Sequence, residues 1–261
     1  MSEEGLLVGG WREVSLVDVL EHVSFTVWLA YCNLKCPWCS NADLARGLNA
    51  KFVRIGDLVE RVREARSFVE VFHVTGGEPL LQRRALKRLF ERILSDVGLP
   101  LSLDTNGTSP AALREVAPML YHLAIDLKAP LNNPRLYAAA TGISPELAKV
   151  LTEKVAESLR ISLEVPFLEL RTTLVPGLLN CADVVEIAKS VRELAGAAKG
   201  RVVYVVQQFI PYEGVKGEFS RRPATPSEKV KECAESVAAV TGLEVYYRTL
   251  EEGARRLRFD L

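Results

Sequence analysis

The sequence predicts an α/β protein built as a partial (β/α)6 TIM-like barrel, with a parallel sheet inside and helices outside. Three observations carry this expectation. Short β-branched apolar runs alternate with longer amphipathic stretches six times between residues 23 and 240, the pattern of β–α units whose strands lie parallel. Polar motifs follow directly on these apolar runs, and in parallel α/β sheets ligands gather at the carboxyl ends of the strands. The chain has 261 residues, whereas full closure takes eight units in about 250 residues. Six units leave the barrel open-sided, with a doubly wound sheet as the alternative. We expect a single domain over residues 1–261, its core at 15–215 and a C-terminal helix and strand within 225–261.

Each element has its own signal. Val23–Ala30 (VSFTVWLA) is an apolar run that reads as a buried strand. Ile55–Ser67 carries apolar residues at helical spacing with charges between them, and Val69–Val74 (VEVFHV) is a β-branched run that stops at Thr75-Gly76-Gly77-Glu78-Pro79. Gln82–Val97 is a second amphipathic helix, followed by a strand over Leu99–Leu103 that ends in the turn signal Asp104-Thr105-Asn106-Gly107. Pro110–Pro118 predicts a helix with Pro in its first turn. The alternation continues with a strand at Tyr121–Leu127, a helix at Pro145–Ser162, and a strand at Glu169–Val175 closed by Pro176-Gly177. Then come a helix at Ala182–Ala197, a strand at Val202–Phe209, a helix at Thr225–Val240 and a terminal strand at Leu243–Arg248.

Composition narrows the function classes. The chain is 48% apolar and 25% charged, and its 33 basic residues balance 33 acidic ones. That argues against a large nucleic-acid footprint. No apolar run reaches the ~18 residues that a membrane span needs, and the acidic start MSEEG is unlike a signal peptide. Three of the five cysteines share one short loop, so a disulfide framework is not expected and a reducing cytoplasm is the natural home.

The chain is organised around Tyr31-Cys32-Asn33-Leu34-Lys35-Cys36-Pro37-Trp38-Cys39-Ser40-Asn41. Its spacing, C-x3-C-x2-C, puts three soft ligands on the loop after the first strand. Structural zinc sites are closed by four ligands, whereas an iron–sulfur cluster held by three thiolates leaves one iron open to a cofactor. Zinc with a distant fourth ligand, from His22, His73, His122, Cys181 or Cys233, is the alternative. Cys181 and Cys233 lie on or near helices and read as structural residues.

These motifs together resemble the radical S-adenosylmethionine (radical SAM) enzymes. The cysteine loop with Trp38 before its third cysteine is that superfamily's signature, and Thr75-Gly76-Gly77-Glu78-Pro79 resembles its glycine-rich motif. FHVTGGEPLLQ, LSLDTNGT, YHLAIDLKAP, RTTLVPG and VVQQFIP resemble more closely the activating enzymes of glycyl-radical proteins, above all the activase of anaerobic ribonucleotide reductase. The resemblance covers about residues 15–215. It implies that Cys32, Cys36 and Cys39 hold a [4Fe-4S] cluster whose fourth iron chelates S-adenosylmethionine. It implies that Gly76 and Gly77 let backbone approach the methionine amino group, and that Glu78 accepts a hydrogen bond from it. Asp104, Thr105 and Asp126 would form a monovalent-cation site, with Lys128 and Arg171 facing the cofactor's anionic or polar parts. Trp38, Asn106 and Gln208 are cofactor-facing candidates as well. Relatives commonly have Gly where Tyr31 precedes the first cysteine, so a different loop entry is expected.

Three functions compete at this point. One is an activase that cleaves S-adenosylmethionine reductively to a 5′-deoxyadenosyl radical and activates a glycyl-radical enzyme, fed by an electron donor such as flavodoxin or ferredoxin. The second is a radical SAM enzyme acting on a small molecule such as a deazapurine or pterin precursor, with Tyr204, Gln207, Gln208, Tyr212 and Arg248 lining its pocket. The third is a non-catalytic iron–sulfur or zinc protein.

Overall fold

The computed structural model describes residues 4–257. Ten strands form one sheet in the order β10-β9-β8-β7-β6-β5-β4-β2-β1-β3. The parallel set is β2 (His22–Leu29), β4 (Val71–Gly76), β5 (Leu101–Thr105), β6 (Leu120–Asp126), β7 (Phe167–Leu174), β8 (Arg201–Gln208) and β9 (Glu244–Thr249). The six expected β–α units are present, and the terminal strand closes the series as β9. Antiparallel strands extend both edges: β1 (Gly5–Val19) and β3 (Lys51–Arg54) beyond β2, and β10 (Gly253–Arg256) beyond β9. The sheet is the open-sided barrel wall that the sequence predicts.

β1, β3, β10 and the helix Pro134–Thr141 have no counterpart among the sequence expectations. The register between β1 and β2 shifts three times along their length. The first two are one-residue shifts, each moving the following side chains to the other face, so no clean period of two survives in the sequence.

The helices follow their caps. Among the α-helices, α6 (Pro145–Ser162) starts with Ser144 accepting from the Leu147 amide at 3.2 Å and Pro145 at its first position, and buries Ala148, Leu151, Val155 and Leu159 on one stripe. The next helix, α7 (Cys181–Ala195), opens on a reciprocal capping box between Asn180 and Asp183. The last, α8 (Ser227–Thr241), ends at left-handed Gly242. Cys181 at the start of α7 and Cys233 in α8 form a disulfide. The sequence does not foretell the pairing: the two cysteines stand 52 residues apart and meet because α7 and α8 pack side by side.

Alternation along the strands gives the sheet two faces of different chemistry. Phe72 and Val74, Leu101 and Leu103, Leu123 and Ile125, Leu168 and Leu170 are buried with the helices in the main apolar core. The intervening positions, on the barrel face, carry His73 and Thr75, Ser102 and Asp104, His122 and Asp126, Glu169 and Arg171. At the amino end of the barrel, Glu21 in the β1–β2 turn pairs with Arg201 of β8 at 2.6 Å. Arg201 also holds Glu244 of β9 at 2.6 Å, and Tyr246 donates to Glu21. This clasp joins the two ends of the parallel series.

Candidate active site

Cys32, Cys36 and Cys39 are free thiols that line a single cavity of about 170 Å³ at the carboxyl ends of β2, β4, β5 and β6. Tyr31 enters this loop at φ 70°, the left-handed region that favours glycine. The backbone therefore adopts a glycine-like entry although the side chain is tyrosine. Tyr31 and Cys32 donate their amides to the carbonyls of Leu44 and Ala45, and the Cys39 amide donates to the Cys36 carbonyl at 3.1 Å. Burial pushes the Cys36 thiol up to about 12 and raises Cys32 as well, with Lys128 opposing both.

Gly76 and Gly77 form the strand end that meets the cysteine loop. Gly76 has φ 122°, and a Cβ there would overlap the Leu29 backbone. A Cβ on Gly77 would overlap the Tyr31 carbonyl oxygen. Glycine is required at both positions because two backbones cross with no room between them. Glu78 is fully buried and braces the next loop: its carboxylate accepts from Thr105 Oγ1 at 2.8 Å, the Asn106 amide at 2.8 Å and the Leu80 amide at 3.1 Å. Burial raises its carboxyl to about 7 against these hydrogen bonds. Asn106 in turn donates Nδ2 to Asn33 Oδ1 at 3.0 Å and to Cys32 Sγ at 3.8 Å.

Arg171 lies between the two aspartates. Its Nη2 is 2.7 Å from Asp104 Oδ2 and its Nε 3.0 Å from Asp126 Oδ1, with only 6% of its side chain exposed. Lys128 Nζ takes the second Asp126 oxygen at 3.3 Å and lies 5.2 Å from the Trp38 ring centroid. Burial would raise the Asp104 carboxyl, but Arg171 and His73 hold it well below the usual carboxylate range. Burial would lower Lys128, and Asp126 with the three thiols holds it above the ordinary lysine value instead. With Thr105 Oγ1 given to Glu78, every expected cation oxygen except Asp104 Oδ1 already faces a protein donor or acceptor. As arranged, this donor set does not fit a monovalent cation: Arg171 occupies the position between the carboxylates.

Trp38 donates Nε1 to the Ala140 carbonyl at 2.9 Å, and with Ser40 it lines both the cysteine cavity and a second one of about 600 Å³. Gln208 uses both ends of its amide on backbone, donating to Thr225 O at 2.8 Å and accepting from the Leu250 amide at 2.7 Å. Its neighbour Gln207, with Arg248, faces the larger cavity. None of His22, His73, His122, Cys181 and Cys233 lines the cysteine cavity. His73 and His122 each lie 2.8 Å from Ser102 Oγ, and His122 Nε2 lies 3.2 Å from Glu169 Oε2. This buried polar ladder escaped sequence reading. Its only signal was a polar residue at every second position of strands that are otherwise apolar.

The radical SAM superfamily model matches residues 27–190. The chain belongs to that superfamily. A protein of Methanocaldococcus jannaschii that carries the name of a glycyl-radical enzyme activating enzyme is 27% identical over 233 residues, covering 87% of this chain and 89% of its own. A 7-carboxy-7-deazaguanine synthase of Hyperthermus butylicus is 40% identical over 129 residues, covering 46% of this chain and 53% of its own. Among solved structures, TYW1 with a lysine-pyruvate adduct bound superposes with a TM-score of 0.61 at 15% identity, over 88% of this chain and 77% of that one. Streptococcus suis SuiB bound to the precursor peptide SuiA gives 0.60 at 15% identity, over 84% and 47%. These two show the fold. Membership of the radical SAM superfamily implies a [4Fe-4S] cluster and S-adenosylmethionine, and three free thiols on one cavity, backed by glycines and a lysine, fit that pair.

Proposed function

We propose that this radical SAM protein is the activating enzyme of a glycyl-radical protein such as anaerobic ribonucleotide reductase, working as one domain over residues 1–261. In this reading Cys32, Cys36 and Cys39 hold the [4Fe-4S] cluster. Gly76 and Gly77 admit S-adenosylmethionine against backbone, with Asp126, Lys128 and Arg171 setting the charge around its methionine end. Held there, a reduced cluster would supply one-electron reductive cleavage of S-adenosylmethionine to methionine and a 5′-deoxyadenosyl radical, the chemistry needed to take hydrogen from a glycine Cα. The chain's own residues do the rest. Glu78 fixes the Thr105–Asn106 loop under Cys32, Trp38 walls the cofactor side from the substrate side, and the barrel excludes water around the reacting atoms. The protein works in the cytoplasm with flavodoxin or ferredoxin as electron donor, and among its described residues no helix is long and apolar enough to cross a membrane.

One observation carries the choice of a protein substrate. The larger cavity is rimmed by apolar side chains left in solvent, Leu16 at 75%, Val17 at 65% and Leu250 at 66% exposed. Apolar surface rimming a cavity is what a partner's inserted loop would cover. The similarity to 7-carboxy-7-deazaguanine synthase over half the chain supports a second reading, a small-molecule radical SAM enzyme. Mixing the reduced enzyme, S-adenosylmethionine and a glycyl-radical enzyme from the same genome separates the two. The activase yields a glycine-centred doublet by electron paramagnetic resonance that collapses to a singlet with α-deuterated glycine. A metabolite that alone stimulates 5′-deoxyadenosine release, with no radical on the partner, overturns it.

A further inference from the structure

The barrel face of the last three parallel strands aligns three polar side chains in one register row. Thr173 pairs with Gln207 across β7 and β8, and Gln207 with Arg248 across β8 and β9. All three line the cavity of about 600 Å³, which is of small-ligand size. Trp38 forms the wall it shares with the cysteine site, and Leu20 and Phe209 are among its apolar sides.

The donors in this row are only partly used. Arg248 gives one nitrogen, Nη2, to the buried Glu169 at 3.3 Å, and its Nε is buried with no hydrogen-bond partner. A guanidinium carries five N–H donors, and among the described residues this one makes no other hydrogen bond. Gln207 accepts weakly from Thr173 Oγ1 at 3.4 Å, and among the described residues its side-chain N–H groups make no hydrogen bond. Glu169 is held by His122 at 3.2 Å as well as by Arg248, so the guanidinium is anchored at one end. Glu21, the carboxylate that reaches this cavity, is neutralised by Arg201. The chamber is therefore mostly apolar, with one guanidinium paired to Glu169 at a single nitrogen and adjacent amide and hydroxyl donors on one wall.

We propose that Thr173, Gln207 and Arg248 form a carboxylate-reading row, and that the substrate entering this cavity is an apolar body bearing one carboxylate. Two sources fit that chemistry, a free small acid or an acidic side chain on a partner's inserted loop. The inference rests on the reading above only in placing the cofactor on the far side of Trp38. Planar guanidinium and planar carboxylate match in a forked pair, a charge-assisted contact that a neutral amide cannot reproduce.

The test is binding, read by isothermal titration calorimetry on the anaerobically reconstituted full chain with S-adenosylmethionine. Hippurate should bind at least about tenfold more tightly than hippuramide, and Arg248→Gln should abolish that preference. In a second arm, acetyl-Val-Gly-Asp-Leu-amide is compared with its Asn counterpart. A charge preference confined to hippurate assigns the site to a free acid, and one confined to the peptide assigns it to a partner's side chain. No preference for either charged probe, or a preference that survives Arg248→Gln, overturns the proposal. Should Arg248→Gln fail to fold, Gln207→Ala and Thr173→Val must weaken the preferred probe, and unchanged affinity in both overturns it equally. The glycine-radical measurement is independent of all these outcomes, so either reading can fail alone.

Discussion

The two faces of the parallel sheet use the same strands for opposite purposes. On the helix face, residues such as Val74, Leu103, Ile125 and Leu170 are fully or almost fully buried against apolar neighbours. One branched side chain there can stand in for another at small cost. On the barrel face, one residue further along each strand, Thr75, Asp104, Asp126 and Arg171 are tied to named partners over 2.7–3.0 Å. Nothing there can be exchanged without stranding a partner. The helix face supplies bulk stability through area, and the barrel face supplies a fixed charge arrangement through pairing.

The largest expected effect lies beyond both faces. Replacing Cys32, Cys36 or Cys39 by Ala should abolish the intact cluster, about four irons and four sulfides per chain, and with it S-adenosylmethionine cleavage. Cys181→Ala and Cys233→Ala should keep full iron. Stoichiometric zinc in anaerobically purified protein would remove the basis for the comparison.

The comparison itself is sharpened by a pair of variants. Arg171→Ala leaves the largely buried Asp104 without its cation, while the half-exposed Asp126 keeps Lys128, and should cost about 3 kcal/mol, with a loss of S-adenosylmethionine affinity in titration. Leu103→Ala should cost a similar ~2–5 kcal/mol through its cavity, yet cofactor affinity per folded molecule should not move. If both variants lose affinity alike, the faces are not separable. Because Arg171 already lies between the carboxylates, replacing sodium and potassium by a bulky organic cation should leave wild-type affinity unchanged.

The α7–α8 disulfide is the next term. Reduction, or the double Ala variant, should destabilise by about 4 kcal/mol for a loop of this length, seen as a lower denaturant midpoint with unchanged S-adenosylmethionine cleavage. Acid titration gives the smallest effect. Burial would raise the Glu169 carboxyl, but Arg248, His122 and Arg171 hold it near 2 instead of its ordinary 4.5. Its folded-state value is depressed, so its contribution is complete above pH 4.5 and is lost as pH falls toward 2. Glu169→Gln should flatten stability against pH in that window, and an unchanged slope would show that the ladder does not hold the charge.

The helix face was legible because burial against helices imposes apolar runs, and the cysteine loop because three thiols in eight residues have few uses. Glu78 was legible as a motif, but its contacts were not: only the fold shows its carboxylate turned beneath Thr105 and Asn106. Tyr31 looked like a departure in loop entry, yet backbone geometry is a property of φ and ψ that a tyrosine can adopt at a cost. Arg248 and the ladder of His73, Ser102, His122 and Glu169 come from separate strands. Their meeting depends on register, which single-strand patterns do not encode.

The clasp at the amino end of the barrel bears on how the molecule is made. Tyr246 follows its partner Glu21 by 225 residues, a stretch that takes roughly 10–45 s to synthesise at ordinary translation rates. Through most of that interval the cysteine loop has been synthesised, while β9 and Arg248 have not. The strand that completes the wall beside the cysteine loop is thus among the last parts of the chain to be made, and the clasp can form only once it has been.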